Sequence, residues 1–393
     1  MVLYIAIAAA TILAASMVKQ TQNMPRGTRG RAINQSFFFL IFLILVIPAV
    51  LRQETGNDYL RYVEFFHLAS IDAYVPTEEG FNFLVKLIYG LCGYENYLLV
   101  FAVFAILTIA LMLTAMKQQS EDFLFSFFLF MMFGYYFQSF NTMRYYFALS
   151  LVMVSVTYFI RRNYPAFVLL VLTASLFHKS ALIVLLLYPL CAHRYRKGEV
   201  ILIFALGAGV MVFQDEVMEL LLLLYPSWED TTDLAAGTSI SWANLIKCSA
   251  ALLLTFVVRR MRGNVTEPQE EVKKESDFEG TKTAQEDNRA LGLYVNASFL
   301  GFCLYLFCWF VPEISRIGYY LTFTQIFLFP MLLRRIPDEQ ETMRKRFTII
   351  IVVAAILYFA MFLLTAYSDT IKLLPYKSFL FHDLNQTPSG SIE

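Results

Sequence analysis

Long apolar runs separated by short polar stretches fill most of the chain. A helix needs roughly 20 apolar residues to cross a hydrocarbon core of about 30 Å. Runs of that character predict spans at 2–17, 36–51, 96–116, 122–138, 141–160, 163–177, 180–192, 199–213, 242–258, 291–311, 317–333 and 347–366. The expected fold is an all-α, polytopic integral membrane bundle of about 12 transmembrane helices. Residues 1–17 are apolar with no positive stretch ahead of them, and the basic cluster follows the run. That order predicts an uncleaved span with its N-terminus outside.

The connections carry their own patterns. Residues 52–95 place aromatic and aliphatic side chains on one face in YLRYVEFFHL and EGFNFLVKLIYGL, which predicts short amphipathic outer helices lying along the membrane surface. A second outer connection, 214–241, is acidic and lacks Lys and Arg. Between the membrane parts 1–258 and 291–376, residues 259–290 are polar, mixed in charge and poor in aromatics, predicting a disordered cytoplasmic loop. Residues 377–393 read as a polar tail.

From Asn163 to Tyr195 apolarity is nearly continuous, broken only at His178, Lys179 and Ser180. One tilted helix would put Arg161–Arg162 and Arg194–Lys197 on opposite sides of the membrane. Two helices meeting at His178 keep both basic clusters inside, but each is then only about 22 Å long. Polar backbone at that depth is tolerated where protein buries it or a watery cavity meets it, so a cavity opening outward at His178 is expected.

Composition agrees with lipid as the main solvent: 58% of residues are hydrophobic, 16% are charged, and mean hydropathy is +0.57. Lys plus Arg and Asp plus Glu both number 31, so net charge points to no partner, and the position of the charges becomes the useful signal. All but nine of the basic residues fall in the proposed cytoplasmic loops; the nine are Arg52, Arg61, Lys86, Arg144, Lys179, Lys247, Arg316, Lys372 and Lys377. This asymmetry predicts both termini outside. The five cysteines lack metal or redox spacing and read as small buried hydrophobes.

An ionisable group within a span costs roughly 2.5–3.5 kcal/mol on insertion scales, so those at the outer ends of the helices carry information. Arg52 follows the second span, Arg144 lies one turn into the fifth with Asn141 three residues before it, His178 and Lys179 mark the hairpin tip, and Arg316 follows Glu313. Each has an ordinary explanation: snorkelling for Arg144, a satisfied turn for His178, a surface ion pair for Glu313 with Arg316. Several guanidiniums gathered in one outer cavity would suit a lipid phosphate, whose oxygens match the planar paired donors of arginine. A carboxylate ligand would leave the same mark. No Gly-rich phosphate loop or nucleotide fingerprint is visible.

The order Arg52…Gly56-Asn57-Asp58-Tyr59…Tyr62, then Glu79-Gly80-Phe81, Asn141…Arg144…Ala148, Phe177-His178-Lys179-Ser180-Ala181 and Arg316…Tyr319 resembles the EpsG family of Wzy-type polysaccharide polymerases. Tyr145 stands where that family often has Gln. The resemblance implies exopolysaccharide or capsule assembly at the outer face of a bacterial plasma membrane. It implies a metal-independent membrane glycosyltransferase without cofactor, which moves a polyprenyl-pyrophosphate-linked glycan onto a hydroxyl of the next lipid-linked repeat unit. The implied partners are the lipid-linked oligosaccharide, membrane lipid, a flippase and a chain-length regulator, with no nucleic acid. On this reading Arg52, Arg144 and Arg316, with Asn141 and Lys179, bind the pyrophosphate. His178 or Asp58 is the base for the attacking hydroxyl, with Glu79 and Glu313 behind them. A transporter or flippase for lipid-linked oligosaccharide, a membrane acyltransferase acting on exported glycans and a scaffold subunit remain as other readings.

Overall fold

The computed structural model describes residues 1–18, 28–224, 240–264, 278–312, 314–368 and 371–381, and it is about 79% helical. Helices arise at each of the expected places, yet only six of those described are long and apolar enough to cross a membrane: Ala32–Leu51, Tyr97–Gln119, Met143–Ile160, Trp242–Arg262, Gln285–Phe307 and Asp338–Thr365. A seventh is reached if the pair Lys197–Val212 and Gln214–Leu223, bent by 81°, forms one span. Some expected spans fall short because the helix is brief, as in Val2–Ser16, and others because their helices are interrupted. The run 122–138 breaks at Gly134, whose φ of +76 ends one helix at Met132 and starts another at Tyr135. The run 317–333 divides into Ile314–Thr322 and Gln325–Arg334. Around His178 the chain does turn, leaving Tyr164–Ser175 on one side and a 3₁₀ segment Lys179–Ile183 leading into Val184–Ala192 on the other.

The expected loop 259–290 is helical at both ends, because Trp242–Asn264 and Phe278–Phe307 extend beyond their apolar cores; residues 265–277 lie outside the described part. Of the acidic connection, Gln214–Leu224 is helical and 225–239 lies outside the described residues, as does most of the tail, 382–393.

The chain divides into two compact units. The first comprises Met1–Thr157, Leu169–Lys179 and Ile349–Glu393. Its elements include α1 (Val2–Ser16), α2 (Thr28–Leu51), β1 (Arg52–Gln53), α3 (Tyr59–Ser70), α4 (Glu79–Cys92), α5 (Tyr97–Gln119), α6 (Phe123–Met132), α7 (Tyr135–Gln138), the greater part of α8 (Met143–Ile160), the greater part of the helix Glu341–Thr365 and β2 (Lys377–Ser378). The connection 52–95 forms two helices: α3 buries Tyr59, Tyr62, Phe65, Phe66 and Ala69, and α4 buries Phe81, Val85, Ile88 and Tyr89.

In lipid the hydrophobic effect does little to hold helices together, so packing and interhelical hydrogen bonds carry the association. Gln119 at the end of α5 donates to Met153 O on α8 at 2.7 Å, and Tyr136 on α7 donates to Leu45 O on α2 at 2.7 Å. Each such bond contributes about 0.6–2 kcal/mol. The segment 371–379 returns across this unit: Tyr4 donates to Leu373 O at 2.7 Å, Gly56 N–H to Lys372 O at 2.8 Å, and β1 pairs antiparallel with β2, Arg52 opposite Ser378.

The second unit comprises Tyr158–Val168 and Ser180–Thr348, built around the helix Phe278–Phe307. Gly318 admits the close approach of Tyr305, whose hydroxyl would lie 2.2 Å from a Cβ added there. Tyr188 donates to Tyr320 O at 2.9 Å.

Candidate functional site

The first unit gathers four stretches that are far apart in the chain. Gly56 has φ +98, and a Cβ on it would fall 2.6 Å from Phe140 O and 2.9 Å from Asn141 Cα, so only glycine lets these backbones touch. Two residues later the Asp58 N–H donates to Asn141 Oδ1 at 3.3 Å. Asn141 thereby braces the start of α3 against the start of α8. The N-terminal N–H groups of a helix have no partner within it, and that of Arg144 is met by the Tyr62 hydroxyl at 3.4 Å.

A second docking brings α4 to the hairpin turn. Gly80 N–H donates to Leu176 O at 3.0 Å, and a Cβ there would lie 2.6 Å from Leu176 Cβ and 2.7 Å from its carbonyl oxygen. Glu78, next to the helix start, bridges the assembly. Its Oε2 pairs with Arg144 Nη1, and its Oε1 accepts the Lys179 backbone N–H at 3.0 Å. The pair is partly buried, the two side chains being 18% and 12% exposed. The Arg144 guanidinium carbon also lies 5.4 Å from the Phe81 ring centre and 5.9 Å from that of Tyr62, while its Nε is buried without a hydrogen bond. The half-buried His178 ring meets Tyr145 edge to face at 5.3 Å, joining the neighbour of Lys179 to the neighbour of Arg144. Burial raises the Tyr62 pKa, with Asp58 adding to the rise and Arg144 opposing it. The phenol therefore stays neutral near neutrality, its oxygen accepting from the Arg144 N–H.

The structure thus brings together Asp58, Asn141, Arg144, His178 and Lys179. Arg52 lies deeper in the same unit. It is 2% exposed, with Nη1 donating to Ala49 O at 2.9 Å and its guanidinium carbon 5.1 Å from the ring centres of both Phe101 and Phe140. The last carbonyls of a helix lack partners within it. At the end of α2, Pro48 O accepts from Tyr376, Ala49 O from Arg52 and Leu51 O from Phe379 N–H. Arg52 is a buried cation capping α2 between two aromatic faces, with its Nε making no hydrogen bond. Glu79 stands exposed in the first turn of α4, and its neighbour Glu78 makes the ion pair instead. Arg316 is half-buried on Ile314–Thr322 of the second unit, and Glu313 lies outside the described residues.

Sequence reasoning missed Glu78. Its partner Arg144 lies 66 residues away, so no local spacing distinguishes it from Glu79. Among the described residues no three His, Cys, Asp or Glu side chains gather closely enough to hold a metal ion.

The arrangement offers a guanidinium fixed by one carboxylate and two rings, beside an imidazole and a helix N-terminus, all elements suited to an anionic ligand. In comparisons with known proteins, the model of the EpsG family matches residues 35–378, which takes in every segment of this site. No curated protein and no solved structure matches the chain.

Proposed function

The chain belongs to the EpsG family, and from that premise we propose that it is a polysaccharide polymerase acting on a glycan carried by polyprenyl pyrophosphate at the outer face of a bacterial plasma membrane. The family suggests a polysaccharide polymerase-type function in a general sense. The observation that carries the finer reading is the convergence of the 56–58, 78–81, 141–145 and 176–179 segments on Arg144.

In the proposed reaction a sugar hydroxyl of one lipid-linked repeat unit attacks the anomeric carbon of the glycan on another carrier. The bond from that carbon to the pyrophosphate oxygen breaks, and the pyrophosphate leaves with the electron pair. Fixed cations in a site poor in water stabilise such a leaving group. Arg144 is the first of them, with Lys179 as a further cation and Asn141 as a brace. Glu78 holds the guanidinium in place until the phosphate competes for it. His178 or Asp58 takes the proton of the attacking hydroxyl; His178→Gln and Asp58→Asn should differ sharply in rate, and equal mild losses would leave neither as the base.

Arg144→Lys keeps the charge but loses the planar fork, so polymer made in a complemented deletion strain should be markedly shorter; polymer of full length would remove Arg144 from the reaction. The deletion strain also separates a flippase. A missing polymerase leaves single repeat units exported on lipid, whereas a missing flippase leaves them trapped inside.

A further inference from the structure

The second unit contains a cavity of about 1120 Å³ that shares no residue with the site above. Four arginines line it, contributed by four stretches of chain: Arg162, Arg194, Arg259 and Arg289. No Asp or Glu is among the described residues that line it.

Its construction is specific. Arg162 has φ +59, the left-handed conformation in which helices commonly end. Its N–H donates to Phe159 O at 3.0 Å, and the N–H of Asn163 donates to Tyr158 O at 2.9 Å, the paired bonds of a Schellman termination. Glycine meets least strain at that position, while an L side chain is disfavoured by about 1 kcal/mol or more. Asn296 shapes the opposite rim, its Nδ2 donating to Cys191 O at 2.8 Å and His193 O at 2.7 Å, which sets the corner carrying Arg194. The Nε of Arg289 is buried without a hydrogen bond. Tyr164, Tyr195 and Phe299 supply an aromatic wall.

We propose that this cavity is an anion site for a phosphate or pyrophosphate group, with the rest of the ligand lying against the aromatic wall. Arginine forks match phosphate oxygens bidentately, and converging cations without a lining carboxylate favour a multiply charged anion. Residues 161–162, 194–197 and 259 fall on the cytoplasmic side of the topology read from charge. The group therefore comes from an anionic headgroup of the inner leaflet or from a soluble phosphate compound in the cytoplasm.

The test uses the full chain and reads the thermal unfolding midpoint. One arm adds sodium pyrophosphate in detergent against potassium chloride of equal ionic strength; the other compares nanodiscs of phosphatidylcholine with nanodiscs containing phosphatidylglycerol. A rise of several degrees with pyrophosphate assigns the soluble source, and a rise only with phosphatidylglycerol assigns the headgroup. In either case Arg194→Gln with Arg259→Gln should cut the rise to the part that Arg144→Gln removes, and the corresponding pair of lysine substitutions should need about tenfold more ligand. Arg194 and Arg259 are exposed, so these variants should fold with the unliganded midpoint unchanged. Arg144→Gln should leave the larger part of the rise in place. No rise in either arm overturns the proposal, as does a full rise in the glutamine pair or its loss in Arg144→Gln.

Discussion

A guanidinium can belong to the protein's own frame or be held ready for a ligand, and Arg52 and Arg144 divide along that line. Arg52 is enclosed by Phe101 and Phe140 and joined to the end of α2. Arg52→Gln removes the cation from both rings and weakens the cap, so the folded state should lose about 2 kcal/mol or more, seen as a lower unfolding midpoint and less protein in the membrane. Were activity per molecule to fall while the midpoint held, the capping role would be wrong. For the carboxylates, Glu78→Gln should depress polymer yield and Glu79→Gln should not, measured at matched protein levels. Both arginines are conspicuous in the sequence because a charge at the edge of an apolar run is costly. What the sequence leaves out is the partner: a helix-end carbonyl for Arg52 and Glu78 for Arg144, each chosen by tertiary contact.

At the scale of elements, the turn at His178 was legible because two basic clusters 32 residues apart had to stay on one side of the membrane. The amphipathic helices α3 and α4 were legible because their apolar stripes had to meet something. The break at Gly134 was hidden: one glycine in an apolar run reads as a tolerated substitution until its φ is known. So was the docking of α4 on the turn, which depends on Gly80 having no side chain. Gly80→Ala would push a methyl to within 2.7 Å of the Leu176 carbonyl. It should separate Glu78 from the Lys179 N–H and greatly reduce polymer synthesis while the protein still inserts. Normal polymer from this variant would show that the contact is not needed. The hydroxyls of α3 also set a limit in alkali. Burial raises the pKa of Tyr62 above its usual 10.0, so its contribution to stability is complete below that value and is lost as pH climbs through the raised one. Tyr62→Phe should flatten the alkaline decline in unfolding midpoint.

For the molecule as a whole, helical class and membrane character followed from composition and run length, but the count of spans did not, because apolarity records burial without distinguishing a full crossing from a shorter, interrupted helix. Sidedness rests on charge and is open to direct measurement. In a background lacking the native cysteines, Tyr74→Cys, on a side chain 86% exposed, should react with an impermeant maleimide in intact cells. Arg196→Cys should react only after permeabilisation; the reverse pattern would invert the topology.

The late segment 371–379 grips α1, Gly56 and the final turn of α2 together. Residues that meet the translocation machinery early must therefore wait for the ribosome to deliver that clasp before the Gly56 to Asp58 corner is held. A chain halted by a stop codon just after Thr365 should enter the membrane with all its long helices yet make no polymer, and a single protease cut within the clasp would silence a finished molecule without removing it from the bilayer.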